Sequence, residues 1–180
     1  MTRSIDRRLL LTGALGAAAL GGPKSSQAAS AREAMPLLAR NEGDWAGTYT
    51  FVSTTGEILD QHGVAIRVRL SADPEHAYRQ ETRYDWADGR SEERVFEAQF
   101  ADGRLIWDDG RIAGQMWEID HRTLYLHFSF ATMPGVECFE MVQIAADGQK
   151  RGRTWLWYRD EALYQYVLVD ESRVGPLPEA

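Results

Sequence analysis

The side chains of this sequence best suited to proton transfer are one histidine and three glutamates within predicted strands. His127 lies in an alternating apolar run, and on an inner face its imidazole could bind a haem iron or hold the anionic group of a ligand. Glu97, Glu118 and Glu140 also lie in mid-strand, where burial would raise the pKa of a carboxyl and suit it to proton transfer. The alternative for His127 is a hydrogen-bonded histidine in the wall of a sheet.

The other residues with reactive side chains show no catalytic pattern. Cys138 is the only cysteine, which excludes an intramolecular disulfide and a zinc site built on several thiolates. We interpret it as a small buried hydrophobe rather than a nucleophile. His62, His76 and His121 lack the spacing of a metal-binding pair and adjoin turns, so they are predicted to be solvated. No nucleophile elbow, phosphate loop or nucleotide fingerprint occurs, and no catalytic residue, metal site or cofactor is assigned.

Aromatic residues are abundant and concentrate in the second half of the chain. The sequence has six tryptophans and seven tyrosines, more than one small core needs. Those that face inward would form a broad wall suited to a flat conjugated ligand, whereas ordinary packing and outward rings are the alternative. The late-strand aromatic residues are Trp107, Trp117, Tyr125, Trp155, Trp157, Tyr158, Tyr164 and Tyr166.

An earlier predicted strand adds polar groups to the same interior. Tyr78, Gln80 and Tyr84 share one face of this strand, and charged residues occupy the other, which predicts an aromatic, hydrogen-bonding inner face. Such groups would orient a ligand that is held mainly by its apolar area. The candidate ligand-binding residues are Tyr78, Gln80, Tyr84, Trp107, Trp117, Tyr125, His127, Glu140, Trp157 and Tyr166.

A sheet must position these side chains, because turn signals divide most of the chain into short alternating runs. Asp-Gly favours tight hairpins because glycine readily takes positive φ and aspartate tolerates it. No connection is long enough for the crossover that parallel strands need. The Asp-Gly pairs are Asp88-Gly89, Asp102-Gly103, Asp109-Gly110 and Asp147-Gly148. The predicted strands are residues 45–53, 57–70, 76–85, 90–100, 104–108, 111–120, 123–130, 136–145, 151–159 and 162–172.

The predicted architecture is all-β: a single antiparallel, up-and-down β-barrel of about ten strands. A sheet this long with little helix must bury one face, and closure also pairs its edges. A barrel of about ten strands has more interior than its own side chains fill, so a cavity is expected. The chain has 180 residues, 44% of them hydrophobic, which suffices for one domain. We expect a signal peptide over residues 1–29, a linker or short helix over 30–40, the barrel over 41–175 and a tail over 176–180.

The amino-terminal residues predict export. Arg7 and Arg8 precede a short apolar stretch that is rich in Ala and Leu and ends in small residues. This stretch is typical of a removable signal peptide and too short for a membrane anchor. The paired arginines favour the twin-arginine route and a periplasmic location, with an ordinary secretory signal as the alternative. The formal net charge of −7 argues against nucleic acid as a partner.

Five short segments carry a family resemblance when taken together. They are residues 41–49, 88–90, 117–118, 153–155 and 168–173. They resemble an uncharacterised bacterial group of calycin-type barrels, distantly similar to the lipocalins and to the phycobiliprotein lyases that handle bilins. The resemblance implies a lipocalin-like fold without naming a reaction. It also implies that Trp45 opens the first strand and that the guanidinium of Arg173 lies against the indole and closes one end. Predicted export separates the chain from bilin transfer, because bilin lyases work where their acceptor proteins are made.

The sequence therefore predicts an exported, lipocalin-like protein that holds a small hydrophobic or aromatic molecule inside its barrel. We expect a monomer or a weak homodimer. Two alternatives stay open. One is an isomerase, lyase or cyclase that needs no cofactor and uses His127 or an inward carboxylate in the same cavity. The other is a haem-binding barrel. The sequence determines neither the ligand nor the role of Cys138.

Overall fold

The computed structural model describes residues 29–175, which form two short helices and ten β-strands. The helices are α1 (Ala31–Ala34) and α2 (Pro36–Asn41). The strands are β1 (Gly43–Ser53), β2 (Ile58–Leu70), β3 (Tyr78–Asp85), β4 (Ser91–Ala101), β5 (Arg104–Asp108), β6 (Ile112–Glu118), β7 (Thr123–Phe130), β8 (Val136–Ile144), β9 (Lys150–Arg159) and β10 (Ala162–Arg173). None of the helices in this range is long and apolar enough to cross a membrane. The predicted tail lies outside the described residues, as does the predicted signal peptide apart from Ala29.

The ten strands close into one antiparallel barrel, which confirms the predicted fold class. Each strand pairs with its neighbours in sequence, and β10 pairs with β1 to complete the ring. Every observed strand begins and ends within two residues of the predicted one. Closure gives the first and last strands a partner on both sides, so that their backbone N–H and C=O groups are used within the sheet.

The Asp-Gly pairs act in two ways. Asp102 and Gly103 both have positive φ, 51° and 75°, as a two-residue hairpin turn requires. At the other three pairs only the glycine has positive φ. There the aspartate carboxylate accepts the N–H of a residue two positions later, as Asp88 does from Arg90 at 2.9 Å. These three pairs therefore stabilise longer loops, in which the side chain of aspartate replaces a backbone acceptor.

The alternation within β7 shows which faces of the strands form the core. Leu124, Leu126 and Phe128 point into the barrel and are buried. Tyr125 and His127 point outward and are only half-buried. The more apolar of the two faces lies inside, because burying aliphatic and phenyl groups removes more apolar area from water than burying a phenol and an imidazole.

Helices α1 and α2 close one end of the barrel. Leu38 of α2 is fully buried. The carboxylate of Glu118 accepts the N–H groups of Leu37 and Leu38 at 2.6 and 2.9 Å, which satisfies amides that the first turn of a helix leaves free. Glu118, one of the candidate proton-transfer residues, therefore anchors a helix to the closed end of the barrel and does not line the cavity.

Trp45 lies at this closed end, in contact with two guanidinium groups. Cζ of Arg173 is 4.1 Å from the indole centroid and Cζ of Arg151 is 4.4 Å from it. The indole N–H donates to the backbone oxygen of Asn41 at 2.9 Å. Arg173 also donates to three backbone carbonyls. They belong to Arg40 of α2, to Glu42, which follows α2, and to Gly148 of the β8–β9 loop. This is the closing arrangement that the resemblance implied.

Gly43 makes room for the closing arginine. Its φ is +128°, a conformation that residues with a Cβ avoid. A Cβ at this position would overlap Nη1 of Arg173. The glycine two residues before Trp45 is therefore required both by the backbone and by the guanidinium beside it.

Candidate functional site

The barrel encloses a cavity of about 360 Å³. It extends from the closed end to the opposite mouth, where Trp86, Arg94 and the exposed Thr132 line it. A concave, mainly apolar space of this size is typical of a site for a small organic molecule. The apolar and aromatic lining consists of Tyr49, Phe51, Tyr78, Tyr84, Trp86, Phe96, Trp107, Ile112, Met116, Leu126, Phe128, Phe130, Met133, Val142, Trp155 and Trp157.

Aromatic rings pack against one another along one side of the cavity. The Trp155 ring meets Tyr49 at 5.8 Å and Phe128 at 5.5 Å, both nearly edge to face. It also lies parallel to Trp157, with the centroids 6.2 Å apart. These separations fall in the range where ring quadrupoles attract. The wall is therefore built of flat surfaces whose orientations are fixed by their neighbours.

A buried network of charged side chains lies next to this wall. Nε of Arg153 donates to Glu140, and Nε of Arg151 donates to Glu171. Nη1 of Arg151 also donates to Oδ1 of Asn41 at 2.7 Å. Burial opposes the charge of Arg153, but its carboxylate neighbours outweigh that effect and raise the pKa of its guanidinium above the ordinary value. Arg153 therefore stays charged in the interior.

Several N–H groups of this interior have no hydrogen-bond acceptor among residues 29–175. The indole nitrogens of Trp155 and Trp157 are buried without a partner, as is Nη2 of Arg151. Nη1 of Arg153 also lacks a hydrogen bond, although it lies 3.7 Å from Oε1 of Glu171. Within the described residues, Oε1 of Glu171 is a buried acceptor that also lacks a partner. Since buried polar groups in proteins are nearly always paired, the excess of four unpaired donors over one acceptor favours a ligand that carries acceptor oxygens.

His62 is a second polar group in the cavity wall. Its side chain is 4% exposed, and its Nδ1 lies 2.8 Å from Oδ2 of Asp60. Both oxygens of Asp60 accept the indole N–H of Trp86 at 3.1 Å. Burial opposes the charge of Asp60, but the hydrogen bonds from Trp86 and His62 prevail and lower the pKa of its carboxyl. The prediction that His62 is solvated is therefore wrong.

Six of the candidate ligand-binding residues line the cavity, and four do not. Tyr78 donates to Gln80 at 2.7 Å, and Gln80 donates to Thr82 at 2.9 Å, so part of the predicted polar face is satisfied internally. Burial raises the pKa of Tyr78 to about 12. The lining candidates are Tyr78, Gln80, Tyr84, Trp107, Glu140 and Trp157. The candidates outside the cavity are Trp117, Tyr125, His127 and Tyr166.

These four residues lie on the outer face of the barrel, which corrects their interior assignment. Trp117 packs on Tyr125 with centroids 4.9 Å apart. His127 stacks on Phe139 at 4.4 Å, with 39% of its side chain exposed. Tyr166 belongs to the outward set of β10, opposite Val167 and Val169, which are buried. Aromatic residues occur on both faces of these strands, so their presence does not identify the inner face. The structure thus offers no haem ligand at His127 on the cavity side.

The remaining chemical candidates also lie away from a catalytic arrangement. Glu97 is exposed and pairs with Arg79 on the outer face. Cys138 is buried in the barrel wall, and burial raises the pKa of its thiol to about 12, as expected for a thiol that packs as a hydrophobe. Among the described residues, no group of three or more His, Cys, Asp or Glu side chains is placed to hold a metal ion.

The arginines and the histidine of the interior are not among the predicted site residues, although a signal for each is present in the sequence. Arg151 and Arg153 alternate with Trp155, so they share its face of β9. His62 has the same parity as Val64 in β2, and that parity marks the buried face. The expectation that charged residues point outward conceals buried ion pairs.

The fold is shared with solved structures of low sequence identity. A protein of unknown function from the DUF3598 family of Nostoc punctiforme is 16% identical, with a TM-score of 0.58; the match covers 75% of this chain and 48% of that one. This chain thus spans about half of that protein. An S-type phycobiliprotein lyase from Guillardia theta is 12% identical, with a TM-score of 0.62 and coverages of 78% and 92%. Rv2717c from M. tuberculosis is 17% identical, with a TM-score of 0.53 and coverages of 79% and 98%.

No family model matches the chain, and no curated protein matches it. The likenesses are therefore likenesses of fold. Together with the closed ring of ten antiparallel strands, they show that the chain has the calycin-like barrel fold that the sequence resemblance implied.

Proposed function

We propose that this protein binds a small, largely aromatic molecule in the barrel cavity, with an anionic or oxygen-bearing end directed at the buried donors. The observation that carries the proposal is the combination of a cavity of about 360 Å³ with unpaired N–H groups on Trp155, Trp157 and Arg151. The aromatic wall supplies apolar contact, and the donors supply orientation. An acceptor oxygen in contact with them would satisfy groups that are costly to bury unpaired.

The charges around the donors support an acceptor rather than a donor on the ligand. The buried side chains of Arg151 and Arg153 pair with the buried carboxylates of Glu140 and Glu171, whereas the buried guanidinium of Arg173 donates only to backbone carbonyls. The buried side chains of this end therefore carry an excess of one positive charge. A carboxylate or sulfonate is attracted by that excess, and the attraction is strong because the interior screens charge weakly.

A matched pair of fluorescent probes tests the proposal. 8-Anilino-1-naphthalenesulfonate and N-phenyl-1-naphthylamine share the same ring system, but only the first carries an anionic group. Both are expected to bind, and the sulfonate more tightly. Trp155→Phe keeps most of the ring and removes the N–H. It is expected to weaken the sulfonate by roughly 10-fold, which corresponds to about 1.5 kcal/mol for one hydrogen bond to a charged group.

The control variant is Trp117→Phe, which makes the same chemical change on the outer face. It should leave the affinity for both probes unchanged. The neutral naphthylamine should bind Trp155→Phe and the unsubstituted protein about equally. The proposal fails if neither probe binds, or if Trp155→Phe and Trp117→Phe behave alike. If the proposal is supported, native mass spectrometry of protein taken from its natural compartment would give the mass of the physiological ligand.

We further propose that the protein is exported to the periplasm by the twin-arginine route. Arg7, Arg8 and the apolar stretch that follows them support this proposal. Replacing both arginines by lysine should leave the precursor in the cytoplasm, as measured by fractionation and by the size of the chain. An ordinary secretory signal would tolerate the change, so normal export of the double variant would contradict the twin-arginine assignment.

A further inference from the structure

His62 is held in a cage of aromatic rings that borders the cavity. The Trp86 ring lies 4.4 Å from the imidazole, the Tyr84 ring 5.5 Å and the Tyr49 ring 5.7 Å, nearly parallel. Phe51 completes the cage at 5.8 Å. All of these residues line the cavity together with His62. The imidazole is therefore fixed in position at the surface that a bound molecule would touch.

The hydrogen bonds of His62 determine which nitrogen is free to act. Asp60 accepts at Oδ2 from Nδ1 of the imidazole, and Trp86 holds the same carboxylate through its indole N–H. A neutral imidazole whose Nδ1 donates has its lone pair on Nε2. Nε2 makes no hydrogen bond to any residue in the described range.

The base and the unpaired donors lie on the same part of the wall. The Tyr49 ring contacts both the imidazole of His62, at 5.7 Å, and the indole of Trp155, at 5.8 Å. A flat molecule lying along this wall would meet the lone pair near one end and N–H donors near the other. General-base catalysis needs this arrangement, because charge that develops on an oxygen must be stabilised as the proton leaves carbon.

We propose that His62 is a general base that removes a proton from a carbon atom of an aromatic or conjugated carbonyl compound bound in the cavity, with Asp60 as its positioning residue. The inference rests on the proposed ligand-binding function and goes beyond it. Nε2 forms a bond to the proton as the C–H bond breaks, and the electron pair moves into the conjugated system to give an enolate. The imidazolium then returns the same proton to another carbon. The product is an isomer, and no oxidant, reductant or co-reactant takes part.

The probe reaction for this step is the opening of 5-nitrobenzisoxazole, a flat aromatic molecule small enough for the cavity. A base removes its ring C–H proton, the N–O bond breaks, and a nitrile and a coloured phenolate form without any other reactant. The protein is expected to accelerate the reaction above the buffer rate. His62→Gln should reduce the rate constant on the order of 100-fold, the usual contribution of a positioned base. His127→Gln, which changes a histidine on the outer face, should leave the rate unchanged.

The split between kcat and KM separates a positioning role of Asp60 from a structural one. Asp60→Asn keeps the size of the side chain, but its amide can donate to Nδ1 of His62 and so place the proton of the neutral imidazole on Nε2. The kcat for 5-nitrobenzisoxazole should therefore decrease on the order of 100-fold while the KM stays unchanged. An unchanged kcat, or an equal loss of naphthylamine binding, would overturn the role of Asp60.

Binding of N-phenyl-1-naphthylamine distinguishes failure of this inference from failure of the proposed function. If the protein and its His62→Gln variant bind the naphthylamine equally and only the variant loses turnover, the inference is supported. If the naphthylamine binds but the unsubstituted protein does not accelerate the reaction, or His62→Gln retains the rate, proton transfer by His62 is refuted and ligand binding stands. If neither the naphthylamine nor the naphthalenesulfonate binds, both proposals fail.

Discussion

Replacing Glu171 by glutamine is expected to destabilise the protein strongly, because the change leaves a buried arginine without its carboxylate. The side chain of Glu171 is fully buried, and that of Arg151 is 1% exposed. Glu171 accepts from Nε of Arg151 and lies 3.7 Å from Nη1 of Arg153. After the substitution, the two buried guanidinium groups of Arg151 and Arg153 would share the single carboxylate of Glu140. Breaking a buried ion pair from one side costs about 3–5 kcal/mol.

A loss of this size is a large part of the free energy of unfolding of an ordinary domain, about 5–15 kcal/mol. For a chain of this length each kcal/mol lowers the melting temperature by about 2–4 °C, so the expected decrease is about 6–20 °C. Urea unfolding followed by tryptophan fluorescence measures the free energy directly. The control is Asp170→Asn, at the neighbouring exposed position on the outer face, which should change stability by less than about 0.5 kcal/mol.

The double variant Arg151→Met with Glu171→Leu tests whether the cost comes from the unpaired charge. Removing both partners leaves no uncompensated guanidinium at this position. The stability lost in the double variant should therefore be smaller than the sum of the losses in Arg151→Met alone and Glu171→Leu alone, by at least about 2 kcal/mol. The reasoning is refuted if Glu171→Gln loses less than about 1 kcal/mol, or if the two single losses simply add. Either result would mean that the pair does not behave as a buried, ionised unit.

Three further predictions follow from individual residues. Gly43→Ala should lower the free energy of unfolding in urea by about 2 kcal/mol, because a Cβ would overlap Nη1 of Arg173. Gly56 is also at positive φ but has open space around it, so Gly56→Ala should lower the free energy of unfolding clearly less. Equal losses in the two variants would contradict the overlap. Cys138 should not react with a thiol reagent at pH 8 until urea unfolds the chain, because burial raises the pKa of its thiol to about 12; reaction in the folded state would show that the thiol is accessible. The contribution of the Cys138 thiol to stability should stay constant below the pKa of an unfolded thiol, about 8.5, and decrease as the pH rises towards 12, since the folded state disfavours the thiolate. Cys138→Ala should weaken the decrease in stability at alkaline pH, and an identical pH profile would exclude the thiol as its source.

The strand pattern could be predicted from the sequence because turns and alternation are local properties. Four Asp-Gly pairs and short alternating runs located all ten strands to within two residues. The inner face was harder to predict. In β7 both faces carry aromatic rings, so Tyr125 and His127 were assigned to the interior, although the aliphatic face that includes Leu126 is buried.

The buried charges could not be predicted from the pattern of one strand alone. Arg151 and Arg153 read as surface residues in the sequence, and their partners Glu140 and Glu171 lie on two other strands. Pairing across strands depends on register, which is set by the closed sheet as a whole. His62 was missed for a related reason. It follows a turn closely in sequence, yet β2 is 13 residues long, so the imidazole falls within the wall.

The sealed end has a consequence for how fast a guest is exchanged. Because Trp45, Leu38 and the arginine that ends the last strand fill one end of the barrel, a ligand inside must leave by the same opening through which it entered. Narrowing that opening lowers the association and dissociation rate constants by the same factor and leaves the dissociation constant unchanged. Loop residues such as Thr132 and Met133, which border the opening, therefore control the residence time of a ligand. The buried walls control its affinity.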